Sequence, residues 1–108
     1  MSLVNLKDVL PEAQENKYAV GAFTVWNMEY VQAVVEAAEE LNSPAILMVG
    51  PVEERTAGKN GLQRIAQIAL YEISRSKIPF VLHYDHSDSV EVLKKAIDAG
   101  FSKKQKIF

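Results

Sequence analysis

The period of the apolar positions changes several times along the chain, and each change marks an element. Asn5 is placed to cap a first helix over 6–16, with Asp8 as the capping-box acid three residues on. Pro11 has no N–H and clashes one turn back, so that helix either kinks there or follows a short turn with Pro11 at its first position. Residues 18–25 are apolar on both faces, the pattern of a buried strand in a parallel sheet covered by helices. Asn27 then caps a helix over 28–42. Met28, Val31, Val34, Val35, Ala38 and Leu41 form its apolar stripe, while Glu29, Gln32, Glu36, Glu39 and Glu40 lie opposite. Asn42-Ser43-Pro44 ends it, because the residue before proline avoids the helical region. A strand over 45–49 leads to a polar loop over 50–60. The next helix covers 61–75, with Leu62, Ile65, Ala66, Ile68, Ala69 and Ile73 inward. A third strand covers 78–84, with Pro79 at its start, where a missing donor is tolerated. Ser87 or Ser89 caps a last helix over 89–99, with Val90, Leu93 and Ile97 inward and Gly100 closing it. Phe101-Ser102 then reads as the start of a fourth strand.

This order, a helix and then three strand–helix units, requires an α/β fold with a parallel sheet and right-handed crossovers. No glycine-rich fingerprint follows any strand, which argues against a dinucleotide or nucleoside triphosphate site. At 108 residues, 48% hydrophobic and 24% charged, the composition is that of one globular domain. The absence of cysteine excludes disulfides, thiolate metal sites and cysteine nucleophiles. A net charge of -2 gives no nucleic-acid footprint. The apolar runs fall far short of the roughly 20 residues that cross a bilayer. The N-terminus lacks the pattern of a signal peptide, so a soluble, cytoplasmic protein is expected. The rhythm fails after residue 102: the lysine-rich stretch 103–108 is poor material for a central strand and reads as a foreign or truncated end.

The polar cluster in a strand context is His83-Tyr84-Asp85-His86-Ser87-Asp88, which holds both histidines. It falls where the third strand ends, the edge at which α/β folds bind ligands. Period two puts Val81, His83 and Asp85 on one face and Leu82, Tyr84 and His86 on the other. A carboxylate there suits proton transfer, and a neutral imidazole suits a metal that polarises a carbonyl. The same residues also read as a core histidine, a turn-capping aspartate and an exposed histidine. Two histidines do not complete a catalytic zinc site, which takes three protein ligands.

The wider chain resembles the class II fructose-bisphosphate/tagatose-bisphosphate aldolase family. Asn5-Leu6-Lys7, Tyr18 to Phe23, Glu36 to Glu40 and Ser43 to Leu47 carry the likeness in order. The most specific piece is Leu82-His83-Tyr84-Asp85-His86, similar to the family's Leu-His-x-Asp-His motif, followed by Lys94 to Ser102. The resemblance implies zinc-dependent, or other divalent metal-dependent, aldol cleavage of a phosphorylated ketose, giving dihydroxyacetone phosphate, on a TIM (β/α)₈ barrel. Residues 1–102 would form the N-terminal part of that barrel, about three strand–helix units and a leading helix. By motif match, Asp85 corresponds to the catalytic acid/base acting at the C4 hydroxyl and His86 to the first zinc-binding histidine. His83 matches the motif's first histidine, with a structural role or one behind the metal ligands.

Thr24 stands where the family often has Asn, and Gly50 where many fructose-bisphosphate members have Ser. Asn27 is read as a helix cap rather than a group lining the site, and the Glu53-Glu54-Arg55 and Lys103-Lys104 runs as solvated. A complete barrel takes about 250 residues. Three strands of it leave both sheet edges unpaired and the interior face uncovered. The expectation is therefore a chain inactive alone. The alternatives are a non-catalytic fragment that forms a homo-oligomer through its open edges, and a small metal-binding module using His83 and His86.

Overall fold

The computed structural model describes residues 2–101. The elements are α1 (Leu6–Glu15), β1 (Gly21–Thr24), α2 (Met28–Leu41), β2 (Ala45–Val49), α3 (Pro51–Thr56), α4 (Gly61–Ser74), β3 (Phe80–Tyr84) and α5 (Val90–Ala99). The three strands form one parallel sheet in the order β1-β2-β3. Gly21 pairs with Ala45 and Thr24 with Met48, while Ala45 pairs with Phe80 and Val49 with Tyr84. The strand–helix units and the parallel sheet expected from the periodicity are present. The anticipated fourth strand beyond Phe101 and the lysine-rich stretch lie outside the described residues.

The sheet separates two apolar layers. Ala45, Leu47, Val49, Phe80, Leu82 and Tyr84 face α2 and α4, where they meet Val31, Val35, Ala38, Leu62, Ile65, Ala66, Ala69 and Ile73. The opposite face carries Ile46 and Val81, packed against Val9 of α1 with Leu6, Val20 and Met48 around them. The interior face is thus not bare, as three strands alone would leave it, because α1 folds across its lower part. One edge is also partly closed. Phe80 N–H donates to the Ser2 carbonyl at 2.7 Å, and Val4 N–H donates to the Phe80 carbonyl at 2.9 Å. The segment ahead of α1 therefore pairs in parallel with the start of β3, at Leu3 and Phe80.

Local chemistry sets the helix starts. Asn5 N–H donates to the Asp8 carboxylate at 2.8 Å, the capping-box contact the sequence suggests. Pro11 lies inside α1, which runs unbroken from Leu6 to Glu15; its missing donor falls on an exposed side of the helix. Asn27 accepts from Tyr30 N–H at 3.1 Å and Ser89 from Val92 N–H at 3.2 Å. Asn27 is thus the cap of α2, as read from the sequence.

Three expectations need correction. First, residues 18–25 are not a strand buried on both faces. Only Gly21–Thr24 pairs, and Phe23 is 48% exposed, because β1 is an edge strand with one neighbour. Second, the loop over 50–60 contains helix α3. Pro51 stands at its first position, and Glu53 accepts from the Gly50 N–H at 2.7 Å. Third, Val90 of α5 is exposed rather than inward; Ala96 is buried, Val92 and Ala99 pack on the core, and Leu93 and Ile97 are half-buried. At the C-terminus Gly100, at φ +117°, comes so close to Leu70 that a Cβ would stand 2.7 Å from its Cδ1. Of the α2 stripe, Val31, Val35 and Ala38 are buried, whereas Met28 and Leu41 are exposed.

Leu62 has no exposed surface and Leu41 is 75% exposed. Leu62→Ala should therefore lower the unfolding free energy by about 3 kcal/mol, the range for a buried leucine that leaves a cavity. Leu41→Ala should shift it by less than about 0.5 kcal/mol. Urea unfolding followed by circular dichroism measures both, and equal losses would contradict the assigned core.

Candidate active site

The three parallel strands end at one edge, so residues at their C-terminal ends are brought together from distant parts of the sequence. Thr24 pairs with Met48, and Met48 with His83, which puts these three in one row on the α1-facing side of the sheet. Val25 N–H donates to the Met48 carbonyl at 2.9 Å, and Asp85 N–H to the Val49 carbonyl at 2.8 Å. The turns after β1 and β3 are thereby both tied to the end of β2.

Strand alternation distributes the motif as expected. Leu82 and Tyr84 point into the helix-covered core, and Val81 into the α1 layer. His83, on the same face as Val81, is 21% exposed at the side chain. The Asp85 carboxylate lies between the two imidazoles: its Oδ2 is 3.3 Å from His86 Nε2, and its Oδ1 is 3.9 Å from His83 Nε2. The Asp85 side chain is 39% exposed and that of His86 is 86% exposed. His86 has φ +59°, in the left-handed region, and its imidazole is largely in solvent. The three motif residues singled out in the sequence therefore meet at the strand ends. The arrangement offers a half-exposed carboxylate as proton acceptor and an exposed imidazole as ligand.

Among the described residues, no group of three His, Cys, Asp or Glu side chains could hold a metal ion. A catalytic zinc takes three protein ligands.

The Glu53-Glu54 pair is not simply solvated, as the sequence reading had it. Both residues are half-buried. Glu53 caps α3, and Glu54 accepts from the Tyr84 hydroxyl at 2.9 Å. Sequence reasoning missed this pair because it missed α3. The available signal was Gly50-Pro51 followed by Glu53, a proline-led helix start with an acid at its third position. Tyr84 is 7% exposed, its ring edge-on to Phe101 with centroids 5.9 Å apart. Burial, and then the hydrogen bond and charge of Glu54, raise the Tyr84 phenol well above its ordinary range.

The sequence profile described as fructose-bisphosphate aldolase class-II matches residues 4–103. The fructose-bisphosphate aldolase of Geobacillus stearothermophilus is 43% identical over 104 residues, covering 94% of this chain and 36% of that protein. A fructose-bisphosphate aldolase of Staphylococcus aureus is 39% identical over 103 residues, with the same coverage of 94% and 36%. Among solved structures, the YdjI aldolase of Escherichia coli K12 superposes with a TM-score of 0.83 at 27% identity, over 92% of this chain and 38% of that one. A fructose-bisphosphate aldolase of Campylobacter jejuni gives a TM-score of 0.74 at 26% identity, over 91% and 31%. The chain thus spans about 36% of the length of the curated relatives it matches. Its three-stranded parallel sheet is the corresponding portion of a TIM barrel.

The raised Tyr84 phenol has a consequence for stability. A tyrosine in the unfolded chain ionises near pH 10. Because the folded phenol holds its proton more tightly, its contribution is complete below about pH 10 and is lost as the pH rises towards the folded value. The urea midpoint should therefore fall above about pH 10 and fall less in Tyr84→Phe; parallel declines would contradict the assigned shift.

Proposed function

This chain belongs to the class II fructose-bisphosphate aldolase family, and we propose that its Asp85–His86 turn is the acid/base and first metal-ligand portion of that active site. The carrying observation is the Asp85 carboxylate at the strand ends, set between His83 and the exposed His86. The substrate is a phosphorylated ketose 1,6-bisphosphate, cleaved to dihydroxyacetone phosphate and glyceraldehyde 3-phosphate.

In this reading Asp85 takes the proton of the C4 hydroxyl as the C3–C4 bond breaks, and the bonding electron pair passes towards the C2 carbonyl. Its partial exposure lets substrate reach it, and its backbone N–H bond to Val49 holds it at the mouth. A divalent cation, zinc in the first instance, would supply the Lewis acidity that polarises the ketone. The His86 imidazole, largely in solvent, suits one position of such a site. His83, partly buried with its Nε2 3.9 Å from the Asp85 carboxylate, would play a structural part beside it rather than hold the cation. The remaining ligands and the phosphate-binding groups would come from the part of the barrel that this chain does not span.

Alone, the 108 residues would then be inactive and bind zinc more weakly than micromolar. A second reading is self-association in a non-catalytic role. It is favoured by the open β1 edge and the apolar groove beside it, of about 260 Å³, lined by Phe23, Val34, Ala37, Leu41 and Pro44. Sedimentation at rising concentration separates a monomer from that assembly.

Joining this chain to the downstream barrel of a relative should give aldol cleavage. In that protein Asp85→Ala should lower kcat by at least about 10²-fold while leaving bound zinc unchanged. His86→Ala should lower the zinc content as well. Unchanged turnover in Asp85→Ala would remove Asp85 from the acid/base role.

A further inference from the structure

We propose that Tyr84 and Glu54 are positioning residues for Asp85, acting as a strut between the end of β3 and helix α3. The inference rests on the reading of Asp85 as acid/base and adds two residues that this reading does not assign. Tyr84 precedes Asp85 directly and points to the opposite face of the sheet. A roll of the strand end about its axis that moves the Tyr84 ring therefore moves the Asp85 carboxylate too. The ring is held against Phe101 at an interplanar angle of 84°, and the hydroxyl donates to Glu54 Oε1 at 2.9 Å. A neutral donor on a carboxylate is a charge-assisted bond, stronger than a neutral pair and directional.

The far end of the strut is itself fixed. Gly61, at the start of α4, approaches the Glu54 carbonyl so closely that a Cβ there would stand 2.1 Å from the oxygen. Helix α3 is thus seated on α4 by backbone contact, which no longer residue at position 61 permits. At its other end, Gly50 starts α3 and lies against the Asp85 backbone; a Cβ at Gly50 would be 3.0 Å from the Asp85 carbonyl oxygen. Asp85 is consequently held from two sides: by the Val49 carbonyl on its N–H and by Tyr84 through Glu54. The first holds the backbone of the turn. The second opposes the rotation that the first allows.

Amide hydrogen exchange on the intact 108-residue chain tests the strut without calling on activity. Tyr84→Phe keeps the ring against Phe101 and removes the hydroxyl. The Asp85 amide should then exchange about tenfold faster while the Leu47 amide, in the middle of β2, keeps its rate. The His86 ring resonances should move in the same variant. Glu54→Ala should reproduce these effects, Glu54→Gln, which keeps an acceptor, should restore the wild-type rate, and the double variant Tyr84→Phe/Glu54→Ala should be no worse than either single one. An unchanged Asp85 amide in Tyr84→Phe would overturn the proposal. So would an equal acceleration at Leu47, which would make the bond a contributor to global stability only. These readouts are independent of the Asp85→Ala result in the joined barrel, so loss of the catalytic reading and loss of the strut are told apart.

Discussion

Strand β2 is the constraint on which the rest depends. All five of its residues pair with β3, the first four also pair with β1, and four of the five are buried. Leu47 and Val49 meet the helices α2 and α4, while Ile46 meets α1. Both apolar layers therefore share this one strand, and both flanking strands take their register from it. Its last two carbonyls do a further service. Met48 accepts from Val25 and Val49 from Asp85, so the turns after β1 and β3 are pinned where β2 runs out. A parallel sheet collects strand ends at one edge, and here that collection is made by two backbone bonds to the central strand.

Around this edge the chain favours backbone approach over side-chain bulk. Gly50 lies against the Asp85 carbonyl and Gly61 against the Glu54 carbonyl, each at a distance that a Cβ would disturb. The short helix α3 is consequently a wedge between β2, β3 and α4. It has no buried residue of its own, so its placement comes from caps, glycine contacts and the Tyr84–Glu54 bond rather than from hydrophobic burial. A Cβ at Gly50 would stand 3.0 Å from the Asp85 carbonyl oxygen, so a side chain there would press on the backbone that carries the acid/base candidate.

The legibility of the fold from the sequence followed burial. The stripe Leu62, Ile65, Ala66, Ala69 and Ile73 is periodic because α4 packs on both neighbouring helices and on β3, and it could be read directly. The β3 alternation of Val81 and His83 against Leu82 and Tyr84 was equally plain. Burial of β1 was not, because an apolar strand of an eight-stranded barrel looks the same whether or not its neighbour is present, and here it has one partner. The inward face of α5 was only partly plain: Val90 fits a stripe with Leu93 and Ile97 yet is exposed, while Val92, Ala96 and Ala99 face the core. The motif Leu82 to His86 pointed to the strand-end position of the candidate site. The contact from Tyr84 to Glu54, 30 residues apart, could not be seen without α3.

Position 86 carries two demands that do not agree. Its backbone is left-handed at φ +59°, a conformation that costs most L-residues about 1–2 kcal/mol and glycine almost nothing. Its side chain is nearly all in solvent and gains little from packing. For stability alone, glycine or asparagine would serve better there, and the imidazole contributes almost nothing to holding the chain together. Folding by itself thus gives no reason for a histidine here, and the proposed ligand role would supply one.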